Sequence, residues 1–154
     1  MNKEFIPYEE ALELKELGFD EKCFSYYHFE ELSVTPRENG DDIKYPGDIK
    51  FDSHQNSYLE EGDNCSSPLY QQAFRWFREK YGLDGESTRY NLNNRESKIL
   101  GVDVKYIYLT MINGVARDWE DIELKDATYY TTYEEAELAC LRQLIKIENQ
   151  NKDE

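Results

Sequence analysis

The chain has 154 residues, 14% of them aromatic with 13 Tyr, and a formal net charge of −15. That length buries a core without disulfides or metal, the aromatic content excludes wholesale disorder, and the charge opposes general affinity for nucleic acid. Cys23, Cys65 and Cys140 are odd in number and irregularly spaced, which excludes a disulfide framework, and the longest apolar run, Tyr106 to Ile112, is far too short for a membrane span. The first residues carry no apolar core of signal-peptide length, so a soluble protein in a reducing cytoplasm is expected. The charge is uneven, with residues 1–64 at a net −11, residues 65–117 at +3 and residues 118–154 at −7. The acidic flanks keep the chain soluble, and the basic middle is the exception.

The first element is a helix from about Pro7 to Leu17, with Pro7 in the first turn and Glu9 and Glu10 at the positive end of the dipole. Gly18 sits where a left-handed C′ residue is needed, and Phe19 can then meet Leu14 in a Schellman ending. Cys23 to Phe29 reads as an aromatic-rich strand. From Glu30 to Ser66 the pattern dissolves among Pro36, Gly40, Pro46, Gly47 and Gly62, and the segment reads as an acidic loop or insertion. A short hairpin over Lys44-Tyr45 and Asp48–Phe51 is an alternative there.

Ser67 and Pro68 suit the cap and first position of a second helix that Gly82 ends. Tyr70, Ala73, Phe74, Phe77 and Tyr81 form its apolar face, Gln71, Arg75 and Arg78 its wet stripe, and Trp76 its shoulder. Two or three strands are expected over residues 87–131. The best is Val104 to Ile112, apolar on both alternating sets and so covered on both faces. Asn113-Gly114 is a turn signal, Val115–Ile122 and Thr128–Thr131 are weaker strands, and Asn91 to Ser97 reads as a polar loop. A capping box, Thr132 with Glu135, opens the last helix. One of its faces carries Tyr133, Ala136, Cys140, Leu144 and Ile147, and a second carries Leu138, Leu141 and Ile145. A helix lying on a sheet needs one apolar face, so the second predicts cover by the N-terminal helix, a partner or a twin subunit.

The fold class is therefore α+β, a small antiparallel sheet with helices packed on one face, in helix–strands–helix order through the C-terminal two thirds. Residues 1–29 form a helix and strand on the main unit, 30–66 the acidic insertion, 67–148 the core unit and 149–154 a disordered tail. The order is similar to that of the double-stranded-RNA-binding domain. That family's last helix opens with phosphate-binding lysines, and here Glu134, Glu135 and Glu137 stand there, so the likeness is architectural.

Catalytic residues are not apparent. His28 and His54 have no partner in the sequence, no Cys-x-x-Cys or Gly-rich phosphate loop occurs, and no cofactor or bound metal is expected. The densest acidic cluster, Asp118, Glu120, Asp121 and Glu123 with Asp126 nearby, reads as a hairpin tip; a Mg²⁺-dependent hydrolase or nuclease built on Asp118 and Glu120 is the alternative. For binding, Gln71, Arg75, Trp76 and Arg78, supported by Arg89, Lys98 and Lys105, make a basic-aromatic patch suited to a phosphate-bearing small molecule, a nucleotide or single-stranded nucleic acid. Leu138, Leu141 and Ile145 make a partner or homodimer face. Displayed carboxylates can also imitate a nucleic-acid backbone toward a basic protein.

Three stretches carry a resemblance: Phe5–Leu12 with Leu17–Glu21, Gln71–Gly82, and Tyr133–Leu141. They resemble short uncharacterised proteins of tailed-phage genomes, phages of Bacteroidota among them, over about a third of the chain. The resemblance implies a phage product acting in the host cytoplasm and supplies no activity. The expectation is a small acidic phage protein that binds a host protein and interferes with a host or antiviral defence process, with no membrane association.

Overall fold

The structure is a computed structural model that describes residues 2–28, 30–33, 56–59, 64–113, 115–116 and 128–152. The chain divides into two compact units, Met1–Tyr70 and Gln71–Glu154, and its class is α+β.

In the first unit, helix α1 (Tyr8–Glu16) is followed by strands β1 (Ser25–His28), β2 (Glu31–Ser33) and β3 (Cys65–Ser67). The strands form an antiparallel sheet in the order β2–β1–β3, and α1 lies against β3. Gly18, at φ 88°, ends α1 as its sequence predicts, with Gly18 N–H donating to the Lys15 carbonyl and Phe19 N–H to that of Leu14. Ile6, Ala11, Leu14, Phe19 and Cys65 are buried almost completely. Two of the polar groups inside are paired across the sheet and to the N-terminal segment: the Tyr27 hydroxyl donates to the Ile6 carbonyl at 3.0 Å and the Ser25 hydroxyl to that of Ser67 at 2.7 Å. Asn56 ties the return of the chain to this core, donating to the Phe19 carbonyl at 2.6 Å and accepting from Ser66 N–H at 2.8 Å.

Strand β2 and the first two residues of β3 fall inside the segment read as an acidic loop. Ser67 is a buried strand residue opposite Ser25, not a helix cap, and helix α2 starts later, spanning Tyr70–Tyr81. The physical reason is Pro68, which biases the residue before it toward extended backbone. The Pro68 carbonyl then accepts from Ile6 N–H at 3.0 Å. The hairpin expected over residues 44–51 lies outside the described residues.

In the second unit, α2 leads to β4 (Gly85–Asn91), α3 (Asn94–Leu100), β5 (Tyr106–Ile112), β6 (Val115–Ala116) and α4 (Tyr133–Lys152). The sheet is antiparallel in the order β4–β5–β6, with Gly85 opposite Ile112 and Asn91 opposite Tyr106. Ile112 pairs with Val115, which leaves two residues for the turn, and Asn113 takes the positive φ of 54° that a tight hairpin needs. Tyr108 exchanges both backbone bonds with Tyr130, which brings the chain back along β5.

Helix α4 crosses β4 and β5. Its approach depends on Gly85, where a Cβ would stand 2.7 Å from Leu144 Cδ1 and 3.1 Å from Cys140 Sγ. The helix opens on the predicted capping box, Glu135 N–H donating to Thr132 Oγ1 at 3.2 Å and Thr132 N–H to Glu135 Oε2 at 3.3 Å. It runs through Lys152, past residue 149 where a disordered tail is expected. Both alternating sets of β5 contribute buried residues, as its sequence predicts: Ile107 and Leu109 from one face, Thr110 and Ile112 from the other. Tyr106 at its start stays exposed. The polar stretch 91–97, read as a loop, instead contains most of α3. Asn93 caps it by accepting from Arg95 and Glu96 N–H, while the Glu96 carboxylate accepts from Asn93 N–H. No described helix is long and apolar enough to cross a membrane.

Candidate functional site

The wet stripe of α2 is real but lacks its aromatic partner. Gln71, Arg75 and Arg78 are exposed at i, i+4 and i+7. Trp76 is only 7% exposed, against the shoulder position expected of it. Its ring meets Phe77 and Tyr81 edge-on at 5.0 and 5.3 Å, and Lys80 Nζ sits 4.7 Å above it. One hundred degrees per residue carries Trp76 from the Arg75 side toward Ala73 and Phe77, and Lys80 one turn on closes over it. A ring so enclosed offers no stacking platform. Arg78 bonds Asp84 at 3.1 Å, an exposed pair of small energetic weight.

Arg89 stands elsewhere, on β4, and there an exposed basic-aromatic cluster does form. Its guanidinium lies 5.3 Å over the Tyr106 ring, Tyr106 meets Tyr108 edge-on at 5.8 Å, and Tyr108 meets Tyr133 at 5.8 Å. Strand pairing explains the grouping, because Arg89 faces Tyr108 and Asn91 faces Tyr106 across the ladder, all on the face that α4 covers farther along. At this end α4 has only begun, so Tyr106 and Tyr133 stay 41% and 44% exposed. Burial and the neighbouring Glu137 push the Tyr133 hydroxyl above its ordinary pKa, so it remains a neutral donor. Sequence reading missed all three tyrosines, although the i, i+2 spacing of Tyr106 and Tyr108 marks a shared face.

Separately, α3 and the approach to β5 enclose an open cleft of about 630 Å³, lined by none of Arg89, Tyr106, Tyr108 and Tyr133. Lys98 and Lys105, both predicted to support a basic patch, line it together with Asn94, Ser97 and Asp103. Ile99 and Val104 are exposed nearby in sequence. The patch expected as one surface is thus two: a cationic stripe on α2, and a cationic, tyrosine-rich end of the β4–α3–β5 region.

The predicted partner face on α4 does not stand free. Leu141 is fully buried, Ile145 is 2% exposed and Leu138 is half-buried, so this stripe is covered within the single chain. Glu137 and Glu148 are buried on the same helix. A homodimer built on Leu138, Leu141 and Ile145 would find only part of Leu138 accessible.

In the first unit, the exposed residues of α1 include Glu9, Glu13 and Glu16, at i, i+4 and i+7. With a rise of about 1.5 Å per residue they place three carboxylates along about 10 Å of one helix face. Glu10 faces inward and is 4% exposed. The first-turn role expected of Glu9 and Glu10 hid this stripe, which the spacing alone could have revealed.

Two of the three thiols stand where burial disfavours a thiolate. Cys65 and Cys140 are fully buried, and burial pushes both up to about 12, far from a reactive thiolate. Cys140 Sγ rests against the carbonyls of Glu86 and Met111 at 3.6 and 3.8 Å. His28 Nδ1 lies 2.9 Å from Asn64 Oδ1. Among the described residues no group of three or more His, Cys, Asp and Glu could hold a metal ion. His54 and the acidic cluster from Asp118 to Glu123, with Asp126, lie outside the described residues. No family model, curated protein or solved structure matches the chain.

Proposed function

We propose that this chain is a phage-encoded protein that acts in the host cytoplasm by binding a host protein, in the manner of a nucleic-acid mimic. The observation that carries this reading is the exposed Glu9, Glu13 and Glu16 stripe on α1, in a chain of net charge −15. Three carboxylates along about 10 Å, or about one per 5 Å, reach about two thirds of the linear charge density of one DNA strand, which carries about one charge per 3.4 Å of axis. A protein whose surface is built to receive phosphates would be steered to such a stripe. The likeness of Phe5–Leu12 and Gln71–Gly82 to tailed-phage proteins supports the setting, and a host or antiviral defence process that handles nucleic acid is the natural target.

The test is competition. Tagged protein is used to capture partners from infected host cells, and each captured protein is then offered duplex DNA or RNA. The reading requires a basic partner that nucleic acid displaces and that rising salt releases. A partner indifferent to both salt and nucleic acid contradicts it.

A second reading is favoured by the Arg89 guanidinium over the Tyr106 ring and by Lys98 and Lys105 in the cleft between α3 and the approach to β5. Charge and stacking there suit a phosphate-bearing small molecule or single-stranded nucleic acid. It predicts a raised 260/280 nm absorbance ratio in purified protein, lost in Arg89→Ala with Tyr106→Ala. A wild-type ratio equal to that of the variant removes it.

A further inference from the structure

Among the described residues strand β4 is an edge strand, and its outer side is unpaired. Tyr108 gives both its N–H and its C=O to Tyr130, so those groups point away from β4. The ladder between β4 and β5 must then use the other set of residues. Consistent with this, Leu92 N–H donates to the Lys105 carbonyl and Asn113 N–H to that of Asp84. It follows that Glu86, Thr88 and Tyr90 bond inward to β5, while the N–H and C=O of Ser87, Arg89 and Asn91 point to the outer edge. Among the described residues nothing accepts or donates to them. The strand is seven residues long, unbroken in register and free of proline, so among the described residues its edge is protected only by the charges of Glu86 and Arg89.

We infer that this edge pairs with the same edge of a second copy of the chain, antiparallel about a two-fold axis through Thr88, to make one continuous six-stranded sheet. Three observations select a second copy. The register centred on Thr88 overlaps the whole strand with itself. It sets Ser87 opposite Arg89, Asn91 opposite Gly85, and Glu86 opposite Tyr90, with no like charges directly opposed. A register centred on Arg89 would oppose two guanidinium groups, and one centred on Ser87 would run past the start of the strand.

Charge points the same way. Residues 85–105 carry Arg89, Arg95, Lys98 and Lys105 against Glu86, Glu96 and Asp103, a net of +1 in a chain of −15. Two acidic copies meet with least repulsion along this nearly neutral strip, since charges beyond about 8 Å are screened at physiological salt. The apolar α4 stripe, by contrast, is already covered. A self-complementary patch of this kind is what a two-fold dimer requires.

The test uses the full chain and two readouts. Light scattering across a concentration series should show a monomer–dimer equilibrium. Amide hydrogen exchange should slow with concentration at Ser87, Arg89 and Asn91 while remaining unchanged at Glu86, Thr88 and Tyr90. Arg89→Pro removes an outward N–H that the internal ladder does not use, so it should leave a folded chain that no longer dimerises. A monomer at every concentration, a dimer whose Ser87, Arg89 and Asn91 amides exchange freely, or a dimer undiminished in a folded Arg89→Pro chain each overturns the proposal. If Arg89→Pro fails to fold, the exchange pattern of the unaltered chain decides.

Discussion

Gly85→Ala tests the close approach of α4 to the second sheet. The added methyl would stand 2.7 Å from Leu144 Cδ1, 3.1 Å from Cys140 Sγ and 3.3 Å from Leu144 Cγ. Leu144 and Cys140 are both fully buried, so neither can swing into solvent. Overpacking of this kind costs about 1–3 kcal/mol. Gly85 does not have a positive φ, so the backbone accepts alanine, and the stiffer unfolded chain returns about 0.4–1 kcal/mol. The expected net loss is about 1–2 kcal/mol, or a fall in melting temperature of roughly 2–8 °C for a chain of this size. Urea denaturation of the four members of a Gly85→Ala, Leu144→Ala cycle measures it. With Leu144 shortened, the methyl has room, and Gly85→Ala should become neutral or stabilising, a coupling of about 1–2 kcal/mol. Equal cost in both backgrounds would refute the packing argument.

Alkaline pH should weaken the fold through its thiols. Cys65 and Cys140 are raised to about 12 by burial, above an ordinary value of 9.0, so the folded state holds protons that the unfolded state releases. Their contribution is complete below pH 9 and is lost as pH climbs toward 12, at about 1.4 kcal/mol per pH unit for each thiol. Denaturation midpoints from pH 8 to 10 should fall more steeply in the wild type than in Cys65→Ala with Cys140→Ala; parallel curves would rule the thiols out. Trp76 gives a further check, since its ring is enclosed. In a Trp119→Phe background its emission should be blue-shifted and resist acrylamide, whereas free quenching would restore α2 as a stacking surface. Asn93→Ala should remove the cap of α3, at about 0.5–2 kcal/mol, with faster exchange confined to residues 94–101. Unchanged exchange there would show that the cap does not hold the helix.

What was legible in the sequence is what depends on neighbours along the chain. The Schellman end at Gly18, the Thr132–Glu135 box, the Asn113 turn and the two-sided burial of β5 are local patterns, and each appears where its residues stand. The errors had two sources, distant partners and local packing or capping that simple patterns do not capture. Cys65–Ser67 has too few residues to announce a strand, and it is one because β1 lies beside it. Trp76 is buried because Lys80, Phe77 and Tyr81 close on it, a packing outcome that a helical wheel leaves on the shoulder. Helix α3 was missed because Asn93, not Ser or Thr, opens its capping box. The candidate sites behaved alike. Gln71, Arg75 and Arg78 share a stripe by helical period, but Arg89 joined Tyr106 through strand register, which no local pattern supplies.

The most direct measurement of the central claim is salt-dependent affinity for the captured host partner, compared between the native chain and Glu9→Gln/Glu13→Gln/Glu16→Gln. These three side chains are exposed, so the variant should fold with stability changed by no more than about 0.5 kcal/mol per site. Binding through the stripe predicts weaker affinity for the variant at low salt, a shallower dependence on salt, and convergence of the two proteins at high salt. Identical affinities and identical salt slopes would contradict the account.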